Sequence, residues 1–211
     1  MMPTFFSVKR FQFFEQIKVV KNFYNLRVFA LDTLFFFTYL LQNPFQIAKK
    51  KEEKNIYGET PLTLYDQIAQ FSSLDSDKTF LELGSGRGRG ALFLAERYGC
   101  KVVGVDWVSI FVKRARYIRN IMRIESAHFV EADFLDVDLS KADVVYIYGT
   151  CFSDSMIQSL LKRLKSLRQG GIVVTVSYSL IEYDSSSFLL KKQKRVTFPW
   201  GKSDLFYNVK N

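Results

Sequence analysis

The residues best placed to do chemistry stand in the run Glu82-Leu83-Gly84-Ser85-Gly86-Arg87-Gly88. Glycines at alternate positions let the backbone turn sharply and leave room for a ligand to lie against it. The pattern is E-x-G-x-G-x-G; a dinucleotide fingerprint would want glycine at position 89, where Arg89 stands. A carboxylate two residues before the first glycine is hostile to a pyrophosphate and suits a ligand with a cationic end. Asp106 follows 22 residues after Gly84, closing the run VVGVD, where an acid is placed to accept hydrogen bonds from ribose hydroxyls. Another 27 residues on, Glu131-Ala132-Asp133-Phe134 offers a carboxylate for an adenine amino group and a ring to pack on its face.

Those residues need elements to position them. Thr79–Leu83 is short, apolar and strand-like, and the glycine run follows as a turn into a helix over Ala91–Tyr98, closed by Gly99. Lys101–Val105 reads as a second strand, 110–124 as a basic helix, Ala127–Glu131 as a third strand and Asp143–Tyr148 as a fourth. Asp154–Leu167 carries Met156, Leu160, Leu161 and Leu164 at helical spacing, and Gln169-Gly170-Gly171 stops it before the β-branched strand Ile172–Tyr178. Val196–Phe198 and Leu205–Val209 flank the turn Pro199-Trp200-Gly201. Strands separated by helices imply an α/β fold with a parallel sheet covered on both faces, and the last pair reads as an antiparallel edge.

The composition narrows the mechanisms. The 211 residues are 48% hydrophobic and 24% charged, enough for an ordinary core. Two cysteines, Cys100 and Cys151, and the single His128 leave no disulfide framework beyond one bridge and no Cys/His zinc site, so no metal is expected. Both thiols read most simply as buried, and His128 as a packed histidine. The basic run Lys113, Arg114, Arg116, Arg119 and Arg123 reads as a solvated helix surface. The net charge of +9 is uneven: residues 1–56 carry +5 and 11 of the 21 phenylalanines. That quarter reads as two helices ending near Pro44 and then a charged linker. The division expected is an N-terminal hydrophobic and basic helical extension over 1–56 and a main domain over 57–211. From Val28 to Ala48 the only charge is Asp32. The span falls near the length of a membrane crossing, but Asp32, Asn43 and Pro44 sit badly in one, and no cleavage site marks a signal peptide. The extension is expected to pack on the main domain, with contact to a membrane surface through residues 1–48 as the alternative. A cytoplasmic location, with membrane association as its variant, is the matching expectation.

Glu82, the glycines, Asp106 and Asp133, in register with three consecutive strands, resemble the class I S-adenosylmethionine-dependent methyltransferases. The resemblance runs from about Tyr57 to the end. It implies a Rossmann-like, mostly parallel seven-stranded sheet with helices on both faces and S-adenosyl-L-methionine as cofactor. It assigns Glu82, Gly84, Ser85, Gly86, Gly88, Asp106, Trp107, Asp133 and Phe134 to that cofactor. Upstream, Tyr57-Gly58-Glu59-Thr60 is similar to the cofactor-covering segment of the non-SET, telomeric-silencing-disruptor type histone lysine methyltransferases, which adds Tyr57, Glu59 and Thr60. That family closes its fourth strand with paired asparagines before a phenylalanine. Here Tyr148-Gly149-Thr150-Cys151-Phe152 stands instead, similar to the lysine methyltransferases of the membrane c-subunit of ATP synthase. The segment Phe198-Pro199-Trp200-Gly201 with Tyr207 resembles those enzymes too.

The resemblance thus implies methyl transfer to a lysine amine of a protein. Tyr148, Thr150 and Phe152 are expected at the acceptor, with Tyr148 also touching the cofactor and Tyr178 and Trp200 completing an aromatic channel. Two alternatives stay open: a small-molecule, lipid or RNA acceptor, and a cofactor-binding module without turnover. Nucleic acid is compatible with the charge but has no motif behind it.

Overall fold

The run Thr79–Leu83 forms β1, at the middle of a seven-stranded sheet, and alternates as a doubly covered strand should: Phe80 and Glu82 face one way, Leu81 and Leu83 the other. The computed structural model describes residues 17–18, 25–39, 44, 47–48 and 58–211. The other strands are β2 (Lys101–Asp106), β3 (Ala127–Glu131), β4 (Val144–Ile147), β5 (Ile172–Val176), β6 (Phe188–Phe198) and β7 (Gly201–Lys210). Their order is β3-β2-β1-β4-β5-β7-β6. The first five are parallel, and β7 runs antiparallel to both β5 and β6. The chain order reverses between β1 and β4, so a crevice opens beyond their carboxyl ends, where open α/β sheets bind ligands.

Four helices share the core on the Phe80 side: α1 (Leu26–Thr38), α2 (Leu62–Phe71), α3 (Arg89–Tyr98) and α4 (Ser109–Met122). α5 (Asp154–Leu164) covers the other side, where Ile157, Leu160, Leu161 and Leu164 are buried. The strands and helices expected over residues 79–211 are present with ends shifted by a few residues. β6 is the larger difference: it spans 11 residues where three were expected. Its basic stretch Lys191–Arg195 is exposed, because β6 is an edge strand whose outer side meets solvent. A bulge between Leu190 and Lys192 reverses its faces. Phe188 therefore packs on the α5 side, and Val196 and Phe198 on the opposite side.

α1 begins at Asn25, whose side chain accepts from the Arg27 amide at 2.9 Å, and ends at Thr38, short of Pro44. Val28, Leu31, Asp32 and Phe35 form its buried stripe. Burying three such apolar side chains stabilises the packed helix by about 1.5–3 kcal/mol each. Arg27 adds contacts to Glu96 of α3 (2.5 and 2.9 Å) and to the Met122 carbonyl at the end of α4 (2.8 Å). The helix thus packs on the main domain. Among the described residues no helix is long and apolar enough to cross a membrane. The first of the two expected N-terminal helices lies outside the described residues, apart from 17–18.

Two smaller expectations are corrected. His128 is exposed rather than packed, since β3 is the opposite edge of the sheet and its alternate residues Ala127 and Phe129 take the covered side. Cys100 is buried, its thiol pushed up to about 11 by desolvation, but Cys151 is exposed in the loop after β4.

Candidate functional site

A cavity of about 680 Å³ opens at the carboxyl ends of β1, β2 and β4. Its floor is the turn after β1. Gly84 (φ +80°), Gly86 (φ +52°) and Gly88 (φ +76°) all take the left-handed conformation, so three glycines in seven residues are a backbone requirement. A Cβ at Gly84 would meet no protein atom within 4 Å, which leaves that stretch of backbone open to a ligand. Gly88 serves packing instead: a Cβ there would stand 2.5 Å from the Phe129 ring and 2.8 Å from Ala115. Asp106 locks the turn. One of its oxygens accepts from the Gly86 amide at 2.7 Å and the other from the Val108 amide at 2.9 Å.

Glu82 lies beneath this floor, 3% exposed. The Tyr65 hydroxyl donates to Oε1, while Oε2 is buried with no partner. Desolvation pushes the carboxyl up to about 8, against the opposing Tyr65 hydrogen bond and the nearby Ala91 amide, with Asp106 adding to the rise. Tyr65 is held by Gly90, where a Cβ would come within 2.0 Å of its ring. It also meets Tyr146 edge-on at 5.5 Å, and the Tyr146 hydroxyl pairs with Thr60 Oγ1 at 2.5 Å. Glu82 and Tyr146 are register partners on β1 and β4, which puts all four groups on one side of the sheet.

The segment before α2 closes the cavity from another side. Gly58 lies so close to the Tyr148 ring that a Cβ would stand 2.6 Å from it, and Glu59 binds Arg87 at 2.6 and 2.7 Å. The Tyr148 hydroxyl accepts from Trp200 Nε1. Trp200 in turn stacks on Phe198 at 5.3 Å, and Phe198 meets Tyr148 edge-on at 5.4 Å. Burial pushes the Tyr148 hydroxyl well above its ordinary range, so it stays neutral. Phe134 stacks on Phe152 at 5.5 Å. A Cβ at Gly149 would strike the Phe152 ring and approach the Tyr178 hydroxyl, so a glycine is required between these aromatics.

Of the residues singled out in the sequence, Glu59, Thr60, Glu82, Gly84, Ser85, Gly86, Asp106, Trp107, Asp133, Phe134, Tyr148 and Phe152 all line the cavity. Gly88, Thr150, Tyr178 and Trp200 do not, although Trp200 donates to Tyr148, which does. Tyr57 lies outside the described residues. Asp133 also caps the short turn after it, accepting from the Leu135 amide at 2.9 Å. Sequence reasoning missed Tyr65, Arg87, Arg89, Ser153 and Met156 in the wall. The two arginines had a signal: they interleave with the glycines, and cations within a ligand turn need anionic partners. Met156 has helical spacing with the apolar stripe of α5 but lines the cavity instead of joining the buried stripe.

Residues 82–187 match the ANTKMT methyltransferase domain family. The chain is 23% identical over 162 residues to the H3 lysine-79 specific histone-lysine N-methyltransferase of Dictyostelium discoideum, covering 70% of this chain and 8% of that protein. It is 26% identical over 141 residues to the enzyme of the same name from Emericella nidulans, covering 58% and 27%. The chain thus spans less than a third of either relative. Its fold is similar to that of an RNA methyltransferase from Salinibacter ruber solved with S-adenosyl-L-homocysteine, with a TM-score of 0.61, 22% identity, and 72% and 94% of the two chains covered.

The cavity suits S-adenosylmethionine. Its wall presents the unpartnered buried oxygen of Glu82, open backbone at Gly84 and the carboxylates of Asp106 and Asp133. Solved structures of similar fold hold this cofactor or its product: the Salinibacter ruber enzyme was solved with S-adenosyl-L-homocysteine and a geranyl diphosphate methyltransferase with S-adenosylmethionine. The chain belongs to the ANTKMT methyltransferase domain family.

Proposed function

We propose that this chain transfers a methyl group from S-adenosylmethionine to a lysine amine of a protein substrate. The observation that carries the reading is the aromatic part of the cavity wall, where Tyr148, Phe134 and Phe152 stand and Trp200 is hydrogen-bonded to Tyr148. The relatives named for histone lysine 79 support the acceptor class. When bound, S-adenosylmethionine supplies the methyl group and, as a sulfonium, the leaving group with it.

The chain's own residues have two tasks. Glu82 and Gly84 would hold the amino-acid end, Asp106 the ribose, and Asp133 with Phe134 the adenine. The second task is to receive the acceptor as a neutral amine. A free lysine titrates near about 10.4, and an apolar wall disfavours its charged form, so the proton leaves to water before the amine lone pair is aligned for attack. Tyr148, neutral and fixed by Trp200, adds a polar point without a charge, which orients an amine without trapping it as ammonium. No covalent nucleophile on the protein is needed.

The same reading takes residues 57–211 as the catalytic domain and 1–56 as its extension, with contact to a membrane surface through residues 1–48. The exposed Leu26, Phe29, Phe36 and Phe37 of α1 support that contact. Sedimentation with anionic vesicles tests it. The full chain should pellet, and the triple change Phe29→Ser, Phe36→Ser and Phe37→Ser should release it. Equal sedimentation of both removes this role from α1.

The acceptor is tested by incubating the purified chain with methyl-labelled S-adenosylmethionine and a fractionated cell lysate. The expected result is label in protease-sensitive material that yields methyl-lysine on acid hydrolysis. Label confined to RNA or lipid fractions contradicts the lysine acceptor.

A further inference from the structure

Asp32 is an acid in the wrong place for an ordinary amphipathic helix. It belongs to the inward stripe Val28, Leu31, Asp32 and Phe35 of α1 and is 8% exposed. A carboxylate buried there is tolerated only with a well-formed partner. That partner is Arg89, bound in a two-pronged geometry: Nε to Oδ1 at 2.6 Å and Nη2 to Oδ2 at 2.8 Å. Such paired contacts fix the plane of a guanidinium as well as its position.

Arg89 is the first residue of α3, directly behind the glycine turn, and it lines the same cavity as Glu82 and Gly84. α1 grips the turn at a second point: the Arg87 guanidinium lies over Tyr39 at 4.9 Å and Phe35 at 5.6 Å while Glu59 binds it from the other segment. The amino-acid end of S-adenosylmethionine carries an ammonium and a carboxylate on one carbon. Glu82, with its unpartnered buried oxygen, answers the first. A planar cation fixed in the same wall answers the second.

We propose that Asp32 is a positioning residue for the cofactor, holding Arg89 in the cavity wall so that its guanidinium receives the carboxylate of the cofactor's amino-acid end. The N-terminal helix is then a working part of the cofactor site. This rests on the methyltransferase reading of the cavity.

Two ligands separate positioning from plain structural support. S-adenosylhomocysteine carries the amino-acid end, and 5′-deoxy-5′-methylthioadenosine has the same nucleoside without it. Calorimetry of the full chain with both should show that Asp32→Asn and Arg89→Gln each weaken S-adenosylhomocysteine roughly ten- to a hundredfold, the loss of a charge-assisted pair, with methylthioadenosine changed less than about twofold. Asp32→Glu restores the charge on a longer arm and should recover part of the loss, which guards against a variant that fails to fold. Equal weakening of both ligands in the variants, or none, overturns the assignment while leaving the cavity reading intact. A wild-type chain that binds neither ligand overturns the cavity reading and the assignment with it.

Discussion

Glu82 is caught between stability and binding. Its carboxyl is held near about 8 by burial, well above the ordinary 4.5, so the folded chain without ligand prefers it protonated. The stability this contributes is fully present below about pH 4.5 and is lost as the pH rises through about 8, where the buried group must ionise. Glu82→Gln removes that dependence. Thermal unfolding at about pH 8.5 should give a melting temperature higher than wild type by roughly 2–4 °C for each kcal/mol recovered. The same change should weaken S-adenosylhomocysteine by about tenfold, because the ammonium loses its anion. A variant that gains no stability and binds normally would remove Glu82 from this role. Two glycines separate floor from packing in the same way. Gly84→Ala should cost only about 1 kcal/mol for its left-handed backbone yet abolish cofactor binding, since the new methyl points into open space. Gly90→Ala should instead lower stability by about 1–3 kcal/mol through the Tyr65 ring. Denaturant unfolding paired with calorimetry checks both; identical profiles for the two variants contradict the distinction.

At the scale of elements, α1 is the test of whether the N-terminal region belongs to the fold. Phe35→Ala should destabilise the whole chain by about 3–5 kcal/mol if the helix unfolds together with the sheet. A loss below about 1 kcal/mol, or a separate early transition in chemical unfolding, would show that α1 detaches independently. The central strands were legible because a short β-branched run between glycine signals is a local pattern. The direction in which α1 packs was not, because its phenylalanines are spread around the helix: Phe35 is buried while Phe29, Phe36 and Phe37 are exposed. Asp32 held the clue, since a lone acid in an apolar helix implies a buried cation elsewhere. The first part of β6 was missed for the opposite reason. Lys191–Arg195 has no alternation to read, and only pairing with β7 and the bulge at Lys191 make it a strand.

For the whole molecule, the sheet order places residues from distant parts of the sequence around one cavity. Glu82, Asp106 and Asp133 were readable because each follows a strand that the sequence marks on its own. Arg89, Tyr65 and the bond from Trp200 to Tyr148 were not, since each depends on elements meeting across 17 to 57 residues of chain. The lysine acceptor draws on the aromatic wall, and the cofactor site on the floor, so the floor is the foundation of the account. A crystal structure of the full chain with S-adenosylhomocysteine tests it most directly. The account predicts the ligand's ammonium on Glu82, its ribose on Asp106, its adenine between Asp133 and Phe134, and its sulfur facing Tyr148 and Phe152. A ligand seated elsewhere, or one whose amino-acid end turns away from Glu82 and Arg89, would contradict it.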